Sequence, residues 1–209
     1  MYRTAFALAS IYLSTAICVA GEFNPTLSIN DKAPAWKDLP GVDGKKHSLA
    51  DIKKKVIVVV FTCNSCPYAV DYEDRLVRLA DKYKKKDVQI IAINVNKVPE
   101  DSLAEMKKRA KAKDFQFPYL FDETQKIARD FGATYTPEFF VLNKDRKVVY
   151  MGAMDDSTDS TKVKLHYVQS AIDGVLSDKP IEKKETVAIG CRVRYERVRR
   201  KRRRAAKTK

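Results

Sequence analysis

Val56-Ile57-Val58-Val59-Val60-Phe61-Thr62-Cys63-Asn64-Ser65-Cys66-Pro67 is the stretch on which the reading of this chain turns. Its first half is a continuous β-branched and aromatic run, as in a strand covered on both faces. The Cys-x-x-Cys-Pro that closes it leads into a helical pattern beginning near Tyr68. Two cysteines at this spacing, between a buried strand and a helix start, have the geometry of a redox dithiol. One turn separates the sulfurs, so attack within the pair outruns release of a bound partner. The helix N-terminus offers unpaired N–H groups and partial positive charge, which favour the thiolate, the species that attacks disulfides and peroxides. The competing readings are an inert bridge and half a zinc site. Zinc needs four ligands, and the only histidines, His47 and His166, stand at no ligand spacing from the pair, so no metal is expected.

Working outward, Gly21 to Leu39 reads as an exposed lead-in with Trp36 as its one large apolar group. Gly41-Val42-Asp43-Gly44-Lys45-Lys46 reads as a hairpin turn between short strands. After the dithiol, Tyr68 to Lys85 is helical: Leu76, Leu79, Ala80 and Tyr83 recur at three and four, with Asp71, Glu73, Asp74, Arg75 and Lys82 facing outward. Val88 to Val95 is a second buried strand. Asp101 to Lys113 is a helix capped by Asp101 or Ser102. Tyr119 to Phe121 is a short apolar strand, and Thr124 to Phe131 a helix closed by Gly132. Glu138 to Leu142 and Lys147 to Met151 form a hairpin, and Thr161 to Leu176 is the last helix. Early β–α alternation predicts parallel strands and the late hairpin antiparallel ones. The expected fold is α/β: a mixed central sheet flanked by helices, with an N-terminal β-hairpin extension.

Thr136-Pro137 stands immediately before the strand Glu138-Phe139-Phe140-Val141-Leu142. A proline entering a strand is confined to its first residue or to an edge. Together with the cysteine pair it completes a resemblance to the thioredoxin superfamily, in particular to exported peroxiredoxin-like proteins related to alkyl hydroperoxide reductase and thiol-specific antioxidant. The resemblance runs from about Lys32 to Arg194. It is carried by Phe61 to Tyr68 and Thr136 to Val141, and more weakly by Gly41 to Lys45, Gly152 to Asp156 and Ile189-Gly190-Cys191. It implies a thioredoxin-like fold and a thiol–disulfide oxidoreductase. Cys63 would be the exposed nucleophile, Cys66 the resolving thiol, and Pro137 a cis residue facing them, with Thr136, Asn64 and Ser65 on the substrate face. The redox-active Cys63–Cys66 disulfide would be the only cofactor. Partners would be protein or small-molecule disulfides and a thiol electron donor. A peroxidase is the rival. In peroxiredoxins a threonine precedes the reactive cysteine by three, but the residue three before Cys66 is Cys63, Thr62 is one out of register, and no peroxide-polarising arginine is evident. A non-enzymatic surface-binding module with a permanent Cys63–Cys66 bridge is the third reading.

The chain ends speak to location and partners. Arg3, the apolar Ala5 to Ile17 and the small-x-small Cys18-Val19-Ala20 read as a signal peptide over residues 1–20. The expected destination is periplasmic or extracellular; an uncleaved signal would hold the protein at the membrane. Removing residues 1–20 takes away one of four cysteines and leaves Cys63, Cys66 and Cys191. An odd thiol in an exported chain makes Cys191 a candidate third redox thiol, against a spare or merely buried residue. Residues 21–189 form the expected thioredoxin-like domain. Residues 190–209 carry eleven Lys or Arg against Glu196, or +10 of the total +14. They are expected to be a disordered tail suited to anionic surfaces, and in an exported protein not to nucleic acid. His47 and His166 are expected at the surface, Asp155-Asp156 in solvent, and Tyr68 in the core or over the dithiol.

Overall fold

The computed structural model describes residues 21–197. Residues 1–20, read above as a signal peptide and containing Cys18, and the basic run 198–209 lie outside the described residues. The apolar run forms β3 (Val56–Thr62) at the centre of a five-stranded sheet, after a small hairpin of β1 (Leu39–Pro40) and β2 (Lys46–His47). β3 is parallel to β4 (Val88–Asn94), which is parallel to β5 (Tyr119–Phe121). On its other side β3 runs antiparallel to β7 (Glu138–Leu142), which pairs antiparallel with β8 (Val148–Gly152). The remaining elements are α1 (Pro67–Tyr83), α2 (Leu103–Ala112), α3 (Lys126–Asp130), β6 (Tyr135–Thr136), α4 (Tyr167–Leu176) and β9 (Cys191–Arg192).

Every residue of β3 is buried, and its alternation feeds two cores. Val56, Val58 and Val60 pack with Tyr72, Leu76 and Leu79 of α1, Met106 of α2 and Ile172 of α4. Ile57, Val59 and Phe61 pack on the opposite face with Ile127 and Phe131, and with Leu27 and Trp36 of the lead-in. The lead-in is therefore not exposed along its length. α3 is too short to cover a sheet face alone, and Trp36, 4 % exposed, completes that cover against Phe131. The N-terminal hairpin docks on the sheet edge, where Val42 N–H donates to Tyr119 O at 3.0 Å.

Other departures from the sequence reading share one cause: side chains that claim backbone groups or buried charges. The last helix starts at Tyr167 rather than Thr161, because Asp156 Oδ1 accepts from the N–H groups of Lys164 and Leu165 and closes a loop there. α3 starts at Lys126 because Gln125 takes a left-handed conformation (φ 60°) and Asp122 Oδ2 accepts from Ile127 N–H at 2.7 Å. Glu73 and Arg75 do not face solvent: Glu73 is buried against Arg109 of α2 in a two-pronged pair, and Arg75 against Asp155 at 2.7 Å. Asp155 is thus a buried partner, not a solvated carboxylate. Residues 190–197 are not a loose tail. β9 pairs with β6, Val193 is buried, and the Tyr195 hydroxyl donates to Ala133 O at 2.6 Å, so the domain continues past residue 189.

Candidate active site

Cys63 leaves the C-terminal end of β3, and Cys66 is the N-cap of α1 with Pro67 as its first residue. Proline suits that position because its missing N–H would have had no helical partner. Both sulfurs are sealed: Cys63 and Cys66 are each 2 % exposed. The premise that Cys63 is the exposed member of the pair therefore fails. The structure opens elsewhere, at Cys191, which is half-buried and packs against the pair.

The Thr136–Pro137 peptide is cis and brings β6 across the dithiol. Cys63 Sγ donates to Thr136 Oγ1 at 3.5 Å, and Cys66 Sγ to Thr136 O at 3.1 Å. The loop is pinned by Glu138, whose buried carboxylate accepts from Thr134 N–H (2.7 Å) and Tyr135 N–H (2.9 Å); burial pushes its pKa up. Behind Cys63, a cavity of about 10 Å³ is lined by Thr62, Tyr72, Glu73, Tyr119, Pro137 and Phe139 among others. That is no more than one water's room, so a substrate cannot reach Cys63 from behind.

The residue that organises the Cys-Asn-Ser-Cys loop was not found from sequence. Asp101, fully buried, accepts from Asn64 N–H at 2.6 Å, Ser65 N–H at 3.1 Å and the Ser65 hydroxyl at 2.6 Å. Its position before α2 suggested a cap, but Ser102 takes that role, accepting from Glu105 N–H at 3.4 Å. Nothing local in the sequence couples position 101 to position 64; β4 and the turn after it do so by running beside β3. Tyr119 was read only as strand, yet its hydroxyl donates to Asn64 Oδ1 at 3.0 Å from full burial. Of the substrate-face residues, Asn64 lines an open groove of about 560 Å³ with Glu100, Lys108 and Arg109; Ser65 turns inward to Asp101 and Thr136 is buried.

The two thiols are electrostatically unequal. Cys66 is pulled down to about 4, chiefly because Cys63 donates to it; Cys191, the Ala69 N–H and the Thr136 hydroxyl help, and burial opposes. Cys63 is pushed far up because it is that donor, because it is buried, and because Asp101 lies near. The pair thus gives up its first proton easily and holds the second. The Cys66–Thr136 O and Cys63–Thr136 Oγ1 bonds belong to the neutral dithiol; when the thiolate forms, the first is surrendered and Cys63 turns its proton to Cys66. Cys191 is pushed up to about 11, first by burial and then by the neighbouring Cys66.

The other sequence candidates lie away from this cluster. His47 pairs with Asp43 inside the hairpin at 3.1 Å, half-buried rather than solvent-facing, and His166 is exposed at the start of α4. Tyr68 is 41 % exposed and is not a core residue. Among the described residues no arginine bonds to Cys63 or Cys66, and no three His, Cys, Asp or Glu groups converge as a metal site.

Residues 29–151 match the AhpC/TSA family, more than half of the chain. The chain belongs to that family. It is 31 % identical over 126 residues to the thiol-disulfide oxidoreductase ResA of Bacillus thuringiensis, covering 59 % of this chain and 68 % of that protein. A ResA of Bacillus anthracis is similar at 32 % over the same length. Among solved structures, an uncharacterized conserved protein from Geobacillus kaustophilus superimposes with a TM-score of 0.78 at 36 % identity, over 83 % of this chain and 95 % of that one. A thioredoxin-family thiol:disulfide interchange protein from Chlorobium tepidum, 21 % identical with a TM-score of 0.57, shares the fold. The AhpC/TSA protein described here is accordingly a thioredoxin-superfamily thiol–disulfide oxidoreductase with the mixed sheet and flanking helices expected of one.

Proposed function

We propose that Cys63 and Cys66 are its redox pair and that it exchanges disulfides of proteins or small molecules outside the cytoplasm. The observation that carries the reading is the meeting of the two thiols with the cis Thr136–Pro137 loop at the N-terminus of α1. The pair sheds its first proton easily and holds the second, so a thiolate shared between Cys63 and Cys66 opens the attack. The thiolate of the pair attacks one sulfur of an external disulfide, forms a mixed disulfide and expels the other sulfur as a thiolate, which takes up a proton. The other thiol of the pair then loses its proton and attacks the sulfur that carries the mixed disulfide; the second external sulfur leaves, and a Cys63–Cys66 disulfide remains. An external dithiol, oxidised in turn, restores the pair. Export rests on the signal-like residues 1–20, and contact with an anionic surface on the basic residues 198–209; no described helix is long and apolar enough to cross a membrane.

The test runs the reduced protein against hydrogen peroxide and a model disulfide side by side, following thiol loss and mapping the product. Rapid disulfide exchange ending in Cys63–Cys66, with peroxide consumed no faster than by free cysteine, is expected. Peroxide consumption far faster than by free cysteine would make it a peroxidase instead. A Cys63–Cys66 bridge inert to mild reductants would make the pair structural.

A further inference from the structure

The sealed pair raises the question of where an external thiol meets it, and the chain's own C-terminal strand answers it. β9 lies antiparallel on β6, with Cys191 opposite Thr136 and Arg192 opposite Tyr135. An extended segment added to a free strand edge is the way proteins commonly bind peptides, and here the segment is the protein's own. Its fit is close. A Cβ at Gly190 would overlap Thr136 O and crowd Pro137 N, so only glycine lets the strand lie this near the cis loop. Thr136 Oγ1 donates to Cys191 O at 3.5 Å. Beyond the cysteine the strand is tied down by Arg194 N–H to Asn96 Oδ1 (3.1 Å), Gln125 Nε2 to Arg194 O (3.0 Å) and Glu196 N–H to Gln125 Oε1 (2.8 Å). Before it, Val187 and Ile189 are exposed at 54 % and 40 %. The cysteine is thus held from one side while its approach stays at the surface.

We propose that Cys191 is a third catalytic thiol, carried on a built-in substrate strand, which takes the disulfide over from the buried pair as a Cys66–Cys191 bond and presents it to the external reductant. The proposal rests on the redox-pair reading above. In the oxidised protein the Cys191 thiolate attacks Cys66 Sγ, the Cys63–Cys66 bond breaks, and Cys63 leaves as a thiolate that takes the proton Cys191 gave up. No electrons enter or leave. The reductant, a small dithiol, then attacks the half-buried Cys191 sulfur and Cys66 departs as a thiolate. The mixed disulfide left on Cys191 is closed out by the second thiol of the reductant, which departs as its own cyclic disulfide and leaves Cys191 a thiol.

The experiment uses the full chain with glutathione disulfide as oxidant and dithiothreitol as reductant. Cys63→Ser, treated with glutathione disulfide and quenched with acid and maleimide, is expected to give an intramolecular Cys66–Cys191 link by peptide mapping. Cys66 left glutathionylated beside an alkylated Cys191 would overturn the proposal. Cys191→Ser is expected still to form Cys63–Cys66 but to be reduced by dithiothreitol at least tenfold more slowly than wild type; a rate within twofold would overturn it. The Cys191→Ser arm keeps the test alive if Cys63→Ser fails to fold. It also separates the two claims: absence of the Cys63–Cys66 bond there would refute the redox-pair reading itself.

Discussion

Replacing Asp101 by asparagine tests whether the dithiol loop is positioned from the turn between β4 and α2. The carboxylate takes three loop bonds, at 2.6, 3.1 and 2.6 Å, from a fully buried position. An amide has nearly the same shape: its oxygen still accepts from Asn64 and Ser65 N–H, and its nitrogen can donate to the Ser65 hydroxyl. What is lost is charge. Bonds to a charged group contribute about 1.5–3 kcal/mol and neutral ones about 1, so three weakened bonds cost roughly 1.5–6 kcal/mol. For a domain of this size that lowers Tm by roughly 3–24 °C, read by calorimetry on the reduced and oxidised protein. The same charge helps hold the Cys63 proton. Asp101→Asn is therefore expected to bring the second thiolate, followed by its absorbance at 240 nm, to lower pH. A Tm within about 1 °C of wild type, with the second thiolate unmoved, would refute both the bond count and the electrostatic role.

Further expectations follow from the same geometry. The Cys66 thiol lies near 4 against an ordinary 9.0, so iodoacetamide alkylation mapped to the peptide that carries Cys63 and Cys66, in the Cys191→Ser variant, should stay level from pH 8 to 5 and fall only toward 4; a decline already at pH 8 would contradict the shared-proton arrangement. The sign for stability follows: the reduced fold gains as pH rises from about 4 to 9 and loses that gain as pH falls through 4, and the midpoint potential should change by about 30 mV per pH unit in that window rather than about 59. Arg75→Ala would leave Asp155 buried without its cation and should cost about 3–5 kcal/mol in chemical denaturation, whereas a loss below about 1 would mean water replaces the pair. Gly190→Ala should lift β9 from Thr136 and speed maleimide labelling of Cys66 in the reduced protein at least tenfold, with unchanged labelling counting against the close fit.

What the sequence determined by itself was whatever depends on neighbours along the chain. The β-branched run made β3 a central strand, the periodic leucines made α1 a helix, and Cys63, Cys66, Thr136 and Pro137 marked the chemistry because their residue types and spacing carry it. The tertiary structure decided what depends on contacts across the chain. Asp101 reaches the dithiol over 37 residues of sequence and Cys191 reaches Thr136 over 55, and no periodicity reports such pairs. Burial was decided there too: Glu73, Arg75 and Asp155 looked like surface charges until α2 and the loop after β8 supplied partners. Which thiol is sealed and which is reachable follows from the same fact, since a strand far along the chain folds back over the pair and, among the described cysteines, leaves its own Cys191 half-buried and the other two sealed.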